Sequence, residues 1–292
     1  MEHYQQALPL LRAVGNRNGE ATTLGNLGLV WEDLQQPRSS IAFQKLAMNL
    51  LQQLRGANRA LDIEAQRAFL QSNEGNYASL SNGLLVQGRL TEALQAIHLA
   101  RDQEFYDQAK RSDSPLTAPT RQLTLTPHEI IFAQRMDGAL NRLTAIRQQL
   151  IQFQAKINAR PPTVAEAAQL KQLNTTIEIE NVTFQQLLPQ LVAALNTAPE
   201  AESRLTTTGD VSEMQQTLRA LQQRTGTNAV AIYALMGAEN CRTLLVTADT
   251  ITTASAQIKF TELMEKSNHL VRLLQRDKYD PRPLGQELYK LL

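Results

Sequence analysis

The sequence predicts a mainly α-helical protein with one short β segment towards its C-terminal end. Three observations carry this. Apolar residues recur three or four apart through most of the chain. Aromatic residues make up only 5% while Leu, Ala and Gln abound, the composition of helices packed through aliphatic side chains. Alternation of period two is confined to the stretch around Asn228–Thr247.

Residues 21–56 read as a helical hairpin. Leu24, Leu27, Trp31 and Leu34 fall on one helical face, and Gln35-Gln36-Pro37 breaks the helix because proline lacks the N–H and disfavours helix before it. A second helix is expected from about Ser39, with Ile41, Leu46, Leu50, Leu51 and Leu54 apolar. Residues 74–110 repeat the design: Tyr77, Leu80, Leu84 and Leu85 form one face, Gln87-Gly88-Arg89 turns, and Leu90, Ala93, Leu94, Ile97 and Ala100 face back. Gly28 in the first pair and Ser81 in the second are small residues that let the paired helix approach. An extended helix is expected to fill about 50–73. Tyr4 and Ala7 resemble the second helix of a preceding pair, with Gly15–Ala21 as the link, so earlier helices or a partner are expected to cover Leu8, Leu10 and Leu11.

Residues 112–126 have the composition of a linker. Thr126-Pro127-His128-Glu129 is a helix start with a threonine cap, proline first and glutamate three on. The helix runs to about Ala159 with Met136, Leu140, Leu143, Ile146, Leu150, Phe153 and Ile157 on its seam. Thr163 to Glu166 starts another by the same capping box, with Leu170, Leu173, Ile177, Phe184, Leu187, Leu191 and Leu195 facing back. Residues 127–197 are therefore expected to be a long antiparallel helical hairpin. After a linker at 198–209, Asp210 and Glu213 cap a short helix to Arg224. Residues 228–235 and 242–247 read as a β-hairpin turned at Met236–Asn240, and a further strand is expected near Ile251–Ala254. A helix from about Ile258 to Leu274 and a last one opened by Asp280-Pro281-Arg282-Pro283 complete the reading.

The two helical pairs resemble the tetratricopeptide repeat. The first offers Leu24, Leu27, Gly28, Trp31, Ser40 and Ala47; the second offers Tyr77, Leu80, Ser81, Leu84, Gly88, Ala93, Ile97 and Ala100. The first departs at Gln35, where the repeat has glycine, and at Gln44, where it has an aromatic. Three stretches in order extend the resemblance. They are Gln53-Leu54-Arg55-Gly56 with Phe69-Leu70-Gln71-Ser72 and Gln87 to Ala93; Leu125-Thr126-Pro127; and Asn228 through the hairpin to Asp280–Pro283 and Glu287-Leu288-Tyr289. Together they are similar to the CHAT family, caspase-like proteins associated with tetratricopeptide repeats. The resemblance implies repeat helices over 1–111, the long hairpin over 127–197, and the opening part of a caspase-like α/β domain over 210–292. In that family the catalytic histidine and cysteine come later than the last residue here, so no catalytic residue is carried over.

The charge balance excludes whole classes of function. With 20% charged residues and a formal net charge of +1, nothing in the composition calls for nucleic acid or an anionic membrane surface. No leader or membrane span is expected, and the single cysteine fits a reducing, cytoplasmic setting. His3, His98, His128 and His269 are scattered without ligand spacing, so no metal and no cofactor are expected. Gly15–Gly19 lacks the lysine and preceding strand of a phosphate loop. Cys241 reads either as a nucleophile, alone or in a site completed by a second chain, or as a small buried apolar residue.

The expected role is a protein-interaction scaffold, non-catalytic in this chain. The resemblance puts Asn26 on the groove-facing side of a first helix, where such an amide binds a peptide backbone or carboxylate, and Thr22 and Leu29 share its face. These three are the candidate partner-binding residues. The expected partner is a protein or peptide; a complementing chain, or a homo-oligomer built on residues 127–197, are the alternatives.

Overall fold

The computed structural model describes residues 1–57, 74–110, 121–157, 161–236, 240–274 and 280–291. Among these residues, five helices precede the long hairpin: α1 (Glu2–Ala13), α2 (Arg17–Asp33), α3 (Pro37–Ala57), α4 (Glu74–Val86) and α5 (Leu90–Lys110). The hairpin is α6 (Pro127–Ile157) and α7 (Val164–Thr197). A short 3₁₀ turn at Glu200–Glu202 and α8 (Gly209–Thr225) lead to strands β1 (Ala231–Met236), β2 (Cys241–Val246) and β3 (Ile251–Ala256). Helices α9 (Phe260–Leu274) and α10 (Arg282–Leu291) follow. The mainly α class expected from periodicity holds. Residues 58–73, with the helix expected there and the Phe69–Ser72 motif, lie outside the described residues, as do residue 111, 112–120 of the first linker and 237–239 of the β turn.

Three helix joints share one geometry. Each helix ends in a Schellman motif, in which two backbone N–H groups turn back onto the last-turn carbonyls. At the first, Gly15 N–H donates to Arg12 C=O and Asn16 N–H to Leu11 C=O; at the second, Gln35 donates to Glu32 and Gln36 to Trp31; at the third, Gly88 donates to Leu85 and Arg89 to Leu84. The central residue is left-handed in all three, with φ of 72° at Gly15, 58° at Gln35 and 65° at Gly88. The next residue is already the cap of the following helix. Pro37 is thus the first residue of α3 rather than only a breaker, since its missing N–H would have no intrahelical partner there.

Close packing follows from small residues. A Cβ on Gly28 would lie 2.6 Å from Gln44 Cγ and 3.2 Å from the Ser40 carbonyl oxygen, so α2 meets α3 nearly backbone to backbone. Phe43 of α3 meets Phe132 of α6 edge to face at 5.1 Å between ring centroids. Met136, Leu140 and Leu143 on α6 and Phe184, Leu188, Leu191 and Leu195 on α7 are buried at the base of the hairpin. Thr163 accepts from Glu166 N–H in a complete capping box. For α8 the cap is Thr208, whose hydroxyl accepts from Val211 N–H, two residues ahead of the expected Asp210.

The chain falls into two compact units. One holds residues 1–76 with 103–204, the other 77–102 with 205–292. In the second unit the Thr91 hydroxyl donates to Leu205 C=O and Leu205 N–H donates to Glu92, so the first turn of α5 is bonded to the C-terminal segment. Periodicity reveals a helix's apolar face but not which distant segment covers it. The sheet in this unit is an antiparallel meander in the order β1-β2-β3, with Tyr233 opposite Leu244 and Thr243 opposite Ala254. Below it Cys241, Ile258, Leu263 and Leu288 form an apolar cluster.

Candidate functional site

Arg17–Asp33 is capped by Asn16, whose side chain accepts from Gly19 N–H, and the phase set there leaves Thr22 and Leu29 exposed and Asn26 half-buried on one face of α2. The Thr22 hydroxyl is spent on Asn18 C=O one turn back. The Asn26 carboxamide makes no hydrogen bond within the described residues. The structure therefore brings the three candidate residues into one solvent-facing stripe with a single unengaged amide.

An asparagine that does hold a backbone lies elsewhere. Asn49 on α3 donates through Nδ2 to Leu123 C=O at 3.0 Å, and its Oδ1 accepts Leu123 N–H at 2.7 Å. One turn earlier, Lys45 Nζ donates to Thr124 C=O at 2.8 Å and to Glu129 Oε2 at 2.9 Å. The Leu123 side chain is buried. Residues 121–126, expected as part of a loose linker, are an extended strap read in a sequence-tolerant way through its main chain, because a carboxamide both donates and accepts as a neighbouring strand would. The sequence carries no local mark of this contact, since Arg38 and Gln52 share that side of α3 with Lys45 and Asn49.

Beside the strap lies a pocket of about 340 Å³ lined by residues of α1, α2, α3, 122–125 and α6. Its charged end is a paired cluster. The Glu20 carboxylate, 1% exposed, accepts from Arg12 Nη2 and from Arg17 Nη1, each at 2.5 Å. Arg12 Nη1 also reaches Asp137 Oδ1 at 2.5 Å and Asn141 Oδ1 at 2.9 Å. Two guanidinium groups and two carboxylates thus neutralise one another.

The second unit holds a line of polar groups that the sequence did not reveal. His98 Nε2 lies 2.8 Å from the Tyr233 hydroxyl, and His98 Nδ1 lies 3.5 Å from Asp210 Oδ1. All three side chains are largely buried. Cys241 is 1% exposed within its apolar cluster, and burial pushes its thiol pKa above the ordinary value. That environment disfavours the thiolate a nucleophile needs. His269 is exposed on α9, and His128 pairs with Glu202 at 2.7 Å. Among the described residues no group of three or more His, Cys, Asp or Glu side chains could hold a metal ion, and no helix is long and apolar enough to cross a membrane. No protein-family model, curated protein sequence or solved structure matches the chain.

Proposed function

We propose that the chain is a protein-interaction scaffold of paired helices, non-catalytic in itself, in which α2 presents Thr22, Asn26 and Leu29 to a protein or peptide partner. The observation that carries this is the shared stripe, exposed at Thr22 and Leu29, with an uncommitted carboxamide at the half-buried Asn26 between them. The three matching joints at Gly15, Gln35 and Gly88 support the tetratricopeptide reading of the helical pairs, since repeats reuse one connection. In the CHAT reading, residues 210–292 are the opening of a caspase-like domain, and the lone cysteine favours a reducing, cytoplasmic setting. A photo-crosslinking residue at position 26 tests the binding surface, with position 164 as an exposed control. A partner captured at 26 but not at 164, and lost with Leu29→Asp, supports the proposal. Equal capture at both positions overturns it.

A second reading has its own observation. Ile151, Ile179 and Val182 on the long hairpin are 46%, 60% and 51% exposed, apolar side chains that a second copy would cover. Sedimentation across a concentration range decides it: a mass that stays monomeric removes the oligomer.

A further inference from the structure

We infer that the open edge of β1 is a pairing surface for the β1 strand of a second copy of this chain, the two joining antiparallel across a two-fold axis into one continuous sheet. Strand β1 ends the order β1-β2-β3, so among the described residues no strand pairs with its other side. Such an edge presents a row of main-chain N–H and C=O groups, and an extended strand is the occupant whose own groups recur at the same spacing. Proteins guard their sheet edges with charges, proline or bulges. The β1 stretch Ala-Ile-Tyr-Ala-Leu-Met has no charged residue and no proline, and it pairs with β2 in unbroken register. Tyr233 is buried with its hydroxyl at His98, which fixes the covered face. Ile232 and Ala234 alternate with it and are exposed, Ile232 by 62%, and Val230 just ahead of the strand is 50% exposed.

The strand itself favours its own copy. Self-pairing sets each residue against one of the same strand, so a charged edge repels itself, whereas β1 has no charge to oppose. With Ile232 against its own counterpart, Val230 lies opposite Ala234 of the second copy and Ala231 opposite its Tyr233, so the flanking positions pair large with small. A formal net charge of only +1 adds little repulsion between copies. The β3 edge lacks the apolar part. Thr252, Thr253, Ala254 and Ser255 are all exposed there, and Thr253 spends its hydroxyl on Thr243 C=O. The β1 edge involves no residue of α2 or of the long hairpin, so it holds or fails independently of both readings above.

The test is analytical ultracentrifugation of the full chain over a range of concentrations, paired with amide hydrogen exchange at a low and a high concentration. The expected result is a reversible dimer in which outward amides of β1 exchange about tenfold or more slowly than in the monomer, while those of β3 do not change. Ile232→Lys, at a site already open to water, should weaken the dimer about tenfold or more, because it sets two like charges opposite each other. Thr252→Lys on the other edge and Ile179→Lys on the long hairpin should leave it unchanged. Should Ile232→Lys fail to fold, the exchange difference in the unaltered chain decides alone. A chain that is monomeric at every concentration overturns the inference. So does a dimer that Ile232→Lys leaves intact, one that Ile179→Lys dissolves, or one whose slowed amides lie in β3.

Discussion

Lys45 Nζ lies 2.9 Å from Glu129 Oε2, and the two side chains are only 0% and 3% exposed. Glu129 Oε2 also accepts Thr126 N–H at 2.8 Å, while the Thr126 hydroxyl accepts Glu129 N–H at 3.3 Å. One carboxylate thus caps α6 and anchors α3 to it.

Removing one member of such a pair strands a buried charge, whereas removing both does not. Lys45→Met is predicted to lower stability by about 3–5 kcal/mol, since an uncompensated buried carboxylate is left behind. Lys45→Met combined with Glu129→Leu is expected to recover most of that, leaving roughly the 1 kcal/mol of a lost helix cap. Urea unfolding midpoints of the single and double variants check this; a double variant no better than the single would sink the pairing argument.

Gln35 carries a Cβ at φ 58°, where Gly15 and Gly88 do not. A left-handed non-glycine residue costs about 1–2 kcal/mol, partly offset by the extra chain entropy glycine loses on folding. Gln35→Gly should therefore stabilise the chain by about 0.5–1 kcal/mol, and Gly88→Ala should destabilise it by a similar amount or more. Thermal unfolding of the two variants gives opposite shifts if the joints are equivalent; shifts of the same sign contradict that equivalence.

The α2–α3 contact has no room for a methyl group at position 28. Gly28→Ala is predicted to cost about 1–3 kcal/mol from overpacking. Gln44→Ala, which removes the Cγ that the new methyl would strike, should rescue part of the loss, the Ser40 carbonyl contact accounting for the remainder. Strictly additive costs in the double variant would mean that the helices do not meet as described.

Cys241 is held as a thiol by burial. A folded-state pKa above the unfolded one means the native chain keeps its proton longer, so stability falls as pH rises above the ordinary thiol value. Under native conditions at pH 8 a thiol reagent should label Cys241 far more slowly than it labels the urea-unfolded chain. Leu288→Ala, which hollows the same cluster, should cost about 2–5 kcal/mol and speed labelling. Fast native labelling would reopen a reactive role for the thiol.

The contact of His98 with Tyr233 joins α5 to β1. Tyr233→Phe removes that hydroxyl and keeps the ring packed at 5.5 Å from the imidazole, so a loss of about 0.5–1.5 kcal/mol is expected. A neutral outcome in chemical unfolding would show that the hydroxyl is equally well solvated in the unfolded chain.

Helix positions, caps and the β segment were legible because each is written in a few adjacent residues. Thr163 and Glu166 announce a capping box, and Asn228–Thr247 alternates. The missed cap at Thr208 and the start at Pro37 were shifts of two residues; proline fits the first helical position locally, while the Thr208 hydroxyl also reaches the distant Thr91 C=O. The resemblance to the tetratricopeptide repeat singled out Asn26, and helical spacing put Thr22 and Leu29 on the same face. What could not be read was pairing across distance. Asn49 meets Leu123 seventy-four positions away, and His98 meets Tyr233 one hundred and thirty-five away, with no local pattern marking either. The pocket belongs to the same category, since its lining comes from five separate segments.

The three-residue joints between α1 and α2, α2 and α3, and α4 and α5 leave no slack. The residue that closes one helix is followed at once by the residue that opens the next, so a single inserted or deleted residue turns the next helix by about 100°. Point substitutions can diversify the faces of these helices freely, while changes of length cannot enter at their corners. Natural variation in this architecture should therefore be written in side chains, with insertions kept out of these three joints.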